Sequence, residues 1–220
     1  MPDSKYLEPT FFIDSDDKDV TAFAEKIVTD KEDESEKAVA LYYAVRDQIL
    51  YDPYAVSTNK QQMRASSTLQ NQKGYCVTKA ILLAALLRFV KIPSRLGFAD
   101  VTNHLNTENL KKQMGTDIFY YHGYTDIYIN GKWVKATPAF NISLCDKFGT
   151  KPLEFDGIND SIFHPFDKKG QKHMEYINDH GHFADLPFET IYNSYKKYYP
   201  ALFELSRFRG DFHKEASEQS

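Results

Sequence analysis

The sequence predicts an α+β fold in which one central buried helix packs on an antiparallel β-sheet, and three observations carry that reading. Residues 77–90, VTKAILLAALLRFV, are apolar on nearly every face except at Thr78, Lys79 and Arg88, the pattern of a helix buried on most sides. Residues 118–130, IFYYHGYTDIYIN, are rich in aromatic and β-branched residues and end in Asn130-Gly131, a strong hairpin signal, with KWVKATP as the return strand. Helical patterns precede strand patterns along the chain instead of alternating with them.

Element by element, Val20, Phe23, Ala24 and Ile27 recur at helical spacing. A second set, Ala38, Tyr42, Val45 and Ile49, follows the charged run from Asp30 to Lys37, which reads as a solvated turn. Asp52-Pro53 ends the second helix, because the residue before proline is pushed away from the α region. Residues 57–73 form a polar stretch leading to Gly74. After the buried helix, Lys91-Ile92-Pro93 is a stop and Arg95 to Val101 a strand. Residues 103–117 and 141–187 read as loops, and Phe188, Ile191, Tyr192, Tyr195 and Tyr198 make an aromatic helical face. Residues 1–206 thus read as one domain with its core at about 40–140, and residues 207–220 as a frayed C-terminal tail.

The 220 residues are 42% hydrophobic, enough for a core that needs no cross-links. A net charge of -4 lacks the basic footprint of a general nucleic-acid binder. Cys76 and Cys145 match neither a disulfide framework nor a C-x-x-C zinc pattern, and read as reduced thiols of a cytoplasmic protein. The N-terminal residues lack a signal-peptide pattern, and the longest apolar run, Ala80 to Leu87, is too short to cross a bilayer. Neither nucleic acid nor membrane is an expected partner, and no cofactor is implied.

Cys76 directly precedes the buried helix, where its sulfur would meet the positive end of the helix dipole and unpaired backbone N–H groups. That setting lowers a thiol pKa and supplies an oxyanion donor. Taken alone, the cysteine reads more simply as a small buried residue before a helix. A two-residue Asn130-Gly131 loop sets Ile129 opposite Lys132, Tyr124 opposite Thr137 and His122 opposite Ala139. Thr137 and Asn141 then share a face with His122 as diagonal neighbours, at roughly 5.5 to 8 Å backbone separation, and either could orient the imidazole. Asp126 shares the face but lies about 13 Å along the strand. Trp133 is expected on the face opposite His122, which leaves Tyr75, Tyr120 and Tyr124 as candidates to line the cleft.

The segments GYCVTKAILLAALLRFVKIPSRLGFADV and YHGYTDIYINGKWVKATP, with AVRDQILYDPY upstream, resemble the core of the transglutaminase-like superfamily over about residues 40–140. The resemblance implies a papain-like fold in which Cys76 is a nucleophile and His122 its base. The family's aspartate after the Trp-containing strand is replaced here by Thr137, which brings no charge to an imidazolium. Asn141 is the alternative, by analogy with the asparagine of papain-like proteases. Gln70 has the spacing of the papain-like oxyanion glutamine, Gln72 is nearer in sequence, and either also fits a solvated loop.

The implied activity is hydrolysis of an amide or peptide bond through an acyl-thioester on Cys76, with crosslinking less favoured; the substrate would be a protein, peptide or small amide. The alternative is a catalytically weak or inactive domain that binds a protein or ligand, for which Thr137 is the main argument. His164, His173, His180 and His182 match no zinc spacing and read as loop residues, His104 sits after the Arg95 strand, and Cys145 reads as a buried filler.

Overall fold

Two helices open the chain, and carboxylates set where each begins. Asp17 accepts the Asp19 and Val20 N–H groups ahead of α1 (Lys18–Val28), and Asp33 accepts those of Ser35 and Glu36 ahead of α2 (Glu34–Gln48). The computed structural model describes residues 2–103, 106–163, 174–203 and 208–218. His104, His164 and His173 lie outside the described residues.

Beyond α2, β1 (Leu50–Tyr51) pairs in parallel with β2 (Lys73–Gly74), setting Tyr51 opposite Gly74. Between them the polar stretch contains a helix, α3 (Ala65–Asn71), that its composition did not reveal; Ala65, Ser66, Thr68 and Leu69 are buried in it. The central helix α4 (Cys76–Phe89) is buried at every position through Arg88. Its polar exceptions turn inward. Lys79 Nζ donates to the carbonyls of Arg46, Ile49 and Ala139, and the Arg88 guanidinium to those of Glu8, Ser94 and Ala184. Each buried cation is thereby matched to carbonyl oxygens, without which its burial would be prohibitive.

Helix α4 lies against an antiparallel sheet of order β5-β4-β3-β6, made of β3 (Ser94–Asn103), β4 (Ile118–Ile129), β5 (Lys132–Ala136) and β6 (Met174–Phe183). The hairpin has the expected register, from Ile129 opposite Lys132 to Thr125 opposite Ala136. The ladder stops there, ahead of Pro138, which has no N–H to donate. Thr125 Oγ1 donates to the Ala80 carbonyl at 2.9 Å and pins β4 to α4.

The stretches read as loops hold α5 (Glu108–Met114), α6 (Ile142–Lys147) and the edge strand β6. Helix α7 (Phe188–Tyr198) follows the aromatic periodicity, with Ile191 and Tyr195 buried. The C-terminal tail corrects the expectation of fraying. Residues Phe212–Glu218 form α8, with Phe212 packed on Tyr51 and Phe148, and Glu215 accepting from the Tyr54 and Thr107 hydroxyls and the Asn109 amide. No described helix is long and apolar enough to cross a membrane.

Candidate active site

Cys76 is the first residue of α4, and Tyr75 before it adds no side-chain cap. The backbone N–H groups of Gly123, Val77 and Cys76 itself lie close to the sulfur and favour its charged form. Gly123 makes this possible: a Cβ there would stand 2.9 Å from Val77 Cα and 3.3 Å from Val77 N, so only glycine lets the strand approach the helix start so closely. His122, the residue before it, lines with Cys76 a cavity of about 40 Å³. The cavity walls include Tyr51, Tyr75, Phe119, Tyr120, Tyr195 and Tyr199, and among the described residues no charged side chain lines it. Cys76 is 5% exposed and His122 3%.

Burial dominates the protonation of both groups. It pushes the Cys76 thiol up to about 11 against the opposing effect of the three N–H donors, and pushes the His122 imidazole down to about 4. The expectation of a low-pKa thiol is thus corrected: the helix start is where the sequence put it, but desolvation outweighs it. At neutral pH the pair is a thiol beside a neutral imidazole. No hydrogen bond joins sulfur to ring. His122 Nε2 is buried without a hydrogen-bond partner.

Thr137 is buried, and its Oγ1, like His122 Nε2, has no partner, while its carbonyl accepts from Tyr42 Oη at 3.2 Å. Asn141 is engaged elsewhere: Oδ1 accepts the Tyr51 N–H at 3.0 Å and Nδ2 donates to Ser143 Oγ at 2.7 Å. Its expected bond to His122 is absent, because the chain turns into α6 at that residue. Neither glutamine reaches the sulfur. Gln70 is exposed on α3 with its amide 3.4 Å from Asp19, and Gln72 is exposed at the left-handed end of that helix, its Nε2 on the Leu69 carbonyl. Sequence spacing suggested them, but α3 turns both outward.

Asp126 is held by Arg95 at 2.7 Å and by His182 at 3.2 Å, away from the cavity. Trp133 corrects a face assignment: it pairs with Tyr128 and so shares the face of His122, six residues along, where it packs on Tyr6 and Arg95. His180 and His182 lie on β6, not in a loop. Cys145 is buried, and burial raises its thiol too. Tyr75 and Tyr120 line the cavity as expected, whereas Tyr124 instead meets His182. Tyr51 and Tyr199 were not anticipated there; Tyr195 had a signal, the aromatic periodicity of α7.

The transglutaminase-like superfamily matches residues 21–138, more than half of the chain. No curated protein matches. Among solved structures, a candidate cysteine protease from Cytophaga hutchinsonii aligns with a TM-score of 0.47 and 20% identity over 81% of this chain and 53% of its own. A candidate protease from Parabacteroides distasonis aligns with a TM-score of 0.40 and 16% identity over 62% of this chain and 27% of its own. The chain therefore spans about half the length of the first and about a quarter of the second, and neither likeness bears on activity. The family match runs from within α1 to Pro138 and takes in both the Cys76 helix and the His122 hairpin, and the chain belongs to the transglutaminase-like superfamily.

Proposed function

We propose that the chain is a thiol-dependent hydrolase of amide or peptide bonds, with Cys76 as nucleophile and His122 as general base. One observation carries this reading: a cysteine at the start of a buried helix, with backbone N–H groups near its sulfur, shares with a histidine a cavity whose described walls carry no charge. His122 Nδ1 takes the thiol proton as the sulfur attacks the substrate carbonyl carbon, and the C=O electron pair moves onto oxygen. The backbone N–H groups at the start of α4 face that oxyanion and replace the glutamine donor the sequence suggested. Collapse breaks the C–N bond, and the protonated His122 returns its proton to the departing amine. Water then attacks the Cys76 thioester, with His122 again as base, and releases the carboxylic acid.

Neutral resting groups favour general-base transfer over a preformed ion pair. Thr137 Oγ1 and His122 Nε2 are both buried without a partner and are not joined in the structure, so in this reading Thr137 becomes the acceptor for His122 Nε2–H once the two draw together. The substrate is a peptide or small amide, and the aromatic and apolar walls among the described residues favour an uncharged group at the scissile carbonyl. The cavity of about 40 Å³ has room for water beside the sulfur, which supports hydrolysis. The aromatic walls support a second reading, acyl transfer to an amine, since they limit water.

The test is a panel of peptide amides with apolar or aromatic residues at the acyl position, with and without millimolar primary amine, followed by mass spectrometry. Free acid formed by wild type and not by Cys76→Ala is expected. Dominant amine adduct would replace hydrolysis by transfer. Equal inertness of wild type and Cys76→Ala would favour a binding domain.

A further inference from the structure

The residue before His122 is held in an unusual conformation, and the groups that hold it lie outside the cavity. Tyr121 has φ of +55°, a region L residues other than glycine and asparagine rarely enter. The sheet register explains why. Ala99 pairs with His122 and Val101 with Phe119, so β4 places two residues, Tyr120 and Tyr121, opposite Asp100 alone. This is a β-bulge one residue from the candidate base, and bulges re-aim the side chains beside them.

Both N–H groups of the bulge leave the ladder for side chains. Tyr120 N donates to Tyr199 Oη at 2.6 Å, and Tyr121 N to Asp100 Oδ1 at 3.0 Å. Asp100 is 8% exposed, and His180 Nε2, on β6, sits 2.7 Å from the same carboxylate oxygen. The His180 ring stacks on the Tyr121 ring at 3.9 Å and 8°. Carboxylate and imidazole thus grip the left-handed residue by its backbone and by its ring.

We propose that Asp100 and His180 are positioning residues for His122: together they fix the Tyr121 bulge, and through it the His122 ring and the Gly123 N–H that meets the Cys76 sulfur. Neither touches substrate. The inference rests on the reading of His122 as base to Cys76.

The experiment measures the rate at which iodoacetamide alkylates Cys76 at pH 7, by peptide mapping of folded protein. The proteins are wild type, His122→Ala, Asp100→Ala, Asp100→Asn and the double variant His122→Ala/Asp100→Ala. Asp100→Ala should slow alkylation about tenfold, toward the His122→Ala rate. Asp100→Asn should recover most of it, since an amide oxygen still accepts the Tyr121 N–H. The double variant should be no slower than His122→Ala, an equality that a merely destabilising change would not produce. If Asp100→Ala reacts as wild type while His122→Ala is slow, the positioning role is wrong and the Cys76–His122 reading stands. If His122→Ala itself reacts as wild type, that reading falls and the proposal with it. Should Asp100→Ala fail to fold, His180→Ala replaces it: a severalfold slowing is expected, and a wild-type rate overturns the proposal.

Discussion

Gly123 meets the first turn of α4 so closely that a methyl group there would lie 2.9 Å from Val77 Cα. The obstruction is backbone at the start of a helix buried on all sides, so it cannot turn aside as a flexible side chain would. Gly123→Ala is therefore expected to push β4 away from α4, with a stability loss of about 1–3 kcal/mol in urea unfolding. The Gly123 N–H would retreat from the Cys76 sulfur at the same time. Unchanged stability would mean that the contact is looser than described.

Acid should weaken the fold through His122. Its folded-state pKa is depressed from 6.5 to about 4 by burial, so the unfolded chain binds the proton first. The contribution is complete above about pH 6.5 and is lost progressively as pH falls toward 4, amounting to about 3 kcal/mol for a shift of this size. In chemical denaturation at pH 7 and pH 4, His122→Leu should lose less stability than wild type by about that amount. An identical loss in the two proteins would place the imidazole in water.

Thr137 and Asn141 should separate cleanly. Thr137→Val keeps the shape and removes a hydroxyl that bonds to nothing else. It is expected to leave stability within about 0.5 kcal/mol, or raise it, and to slow a Cys76-dependent reaction several-fold. Asn141→Ala removes the acceptor of the Tyr51 N–H and the partner of Ser143, and should cost about 1–2 kcal/mol in thermal or urea unfolding. The reverse assignment of effects would make Asn141 the orienting residue.

What could be read from the sequence follows from where local pattern and tertiary demand agree. The helix at Cys76–Phe89 was legible because its burial on every side leaves an apolar run, and the hairpin because Asn130-Gly131 admits one register. Strand β6 was not legible: MEYINDHGHF is an edge strand, mostly polar, with no clean alternation to mark it. The bulge at Tyr121 had no signal either, since the usual residue for such a φ is glycine, and Asp100 and Tyr199, far off in sequence, hold tyrosine there instead. Gln70 was misplaced because spacing from Cys76 does not say which way α3 faces. The thiol state failed for a related reason: a helix start is visible in the sequence, but the walls built by Tyr195 and Tyr199 from distant segments are not, and desolvation decides the balance.

Acylation of Cys76 with His122 as its base is the step on which the proposed reaction depends, and a single-turnover experiment follows that step alone. An activated acyl ester is mixed with folded protein at pH 7, and peptide mapping by mass spectrometry follows the acyl group. The acyl mass is expected on the Cys76 peptide and not on Cys145, appearing about a hundredfold faster in wild type than in His122→Ala. Equal rates in the two proteins, or acylation of Cys145 in preference to Cys76, would contradict it.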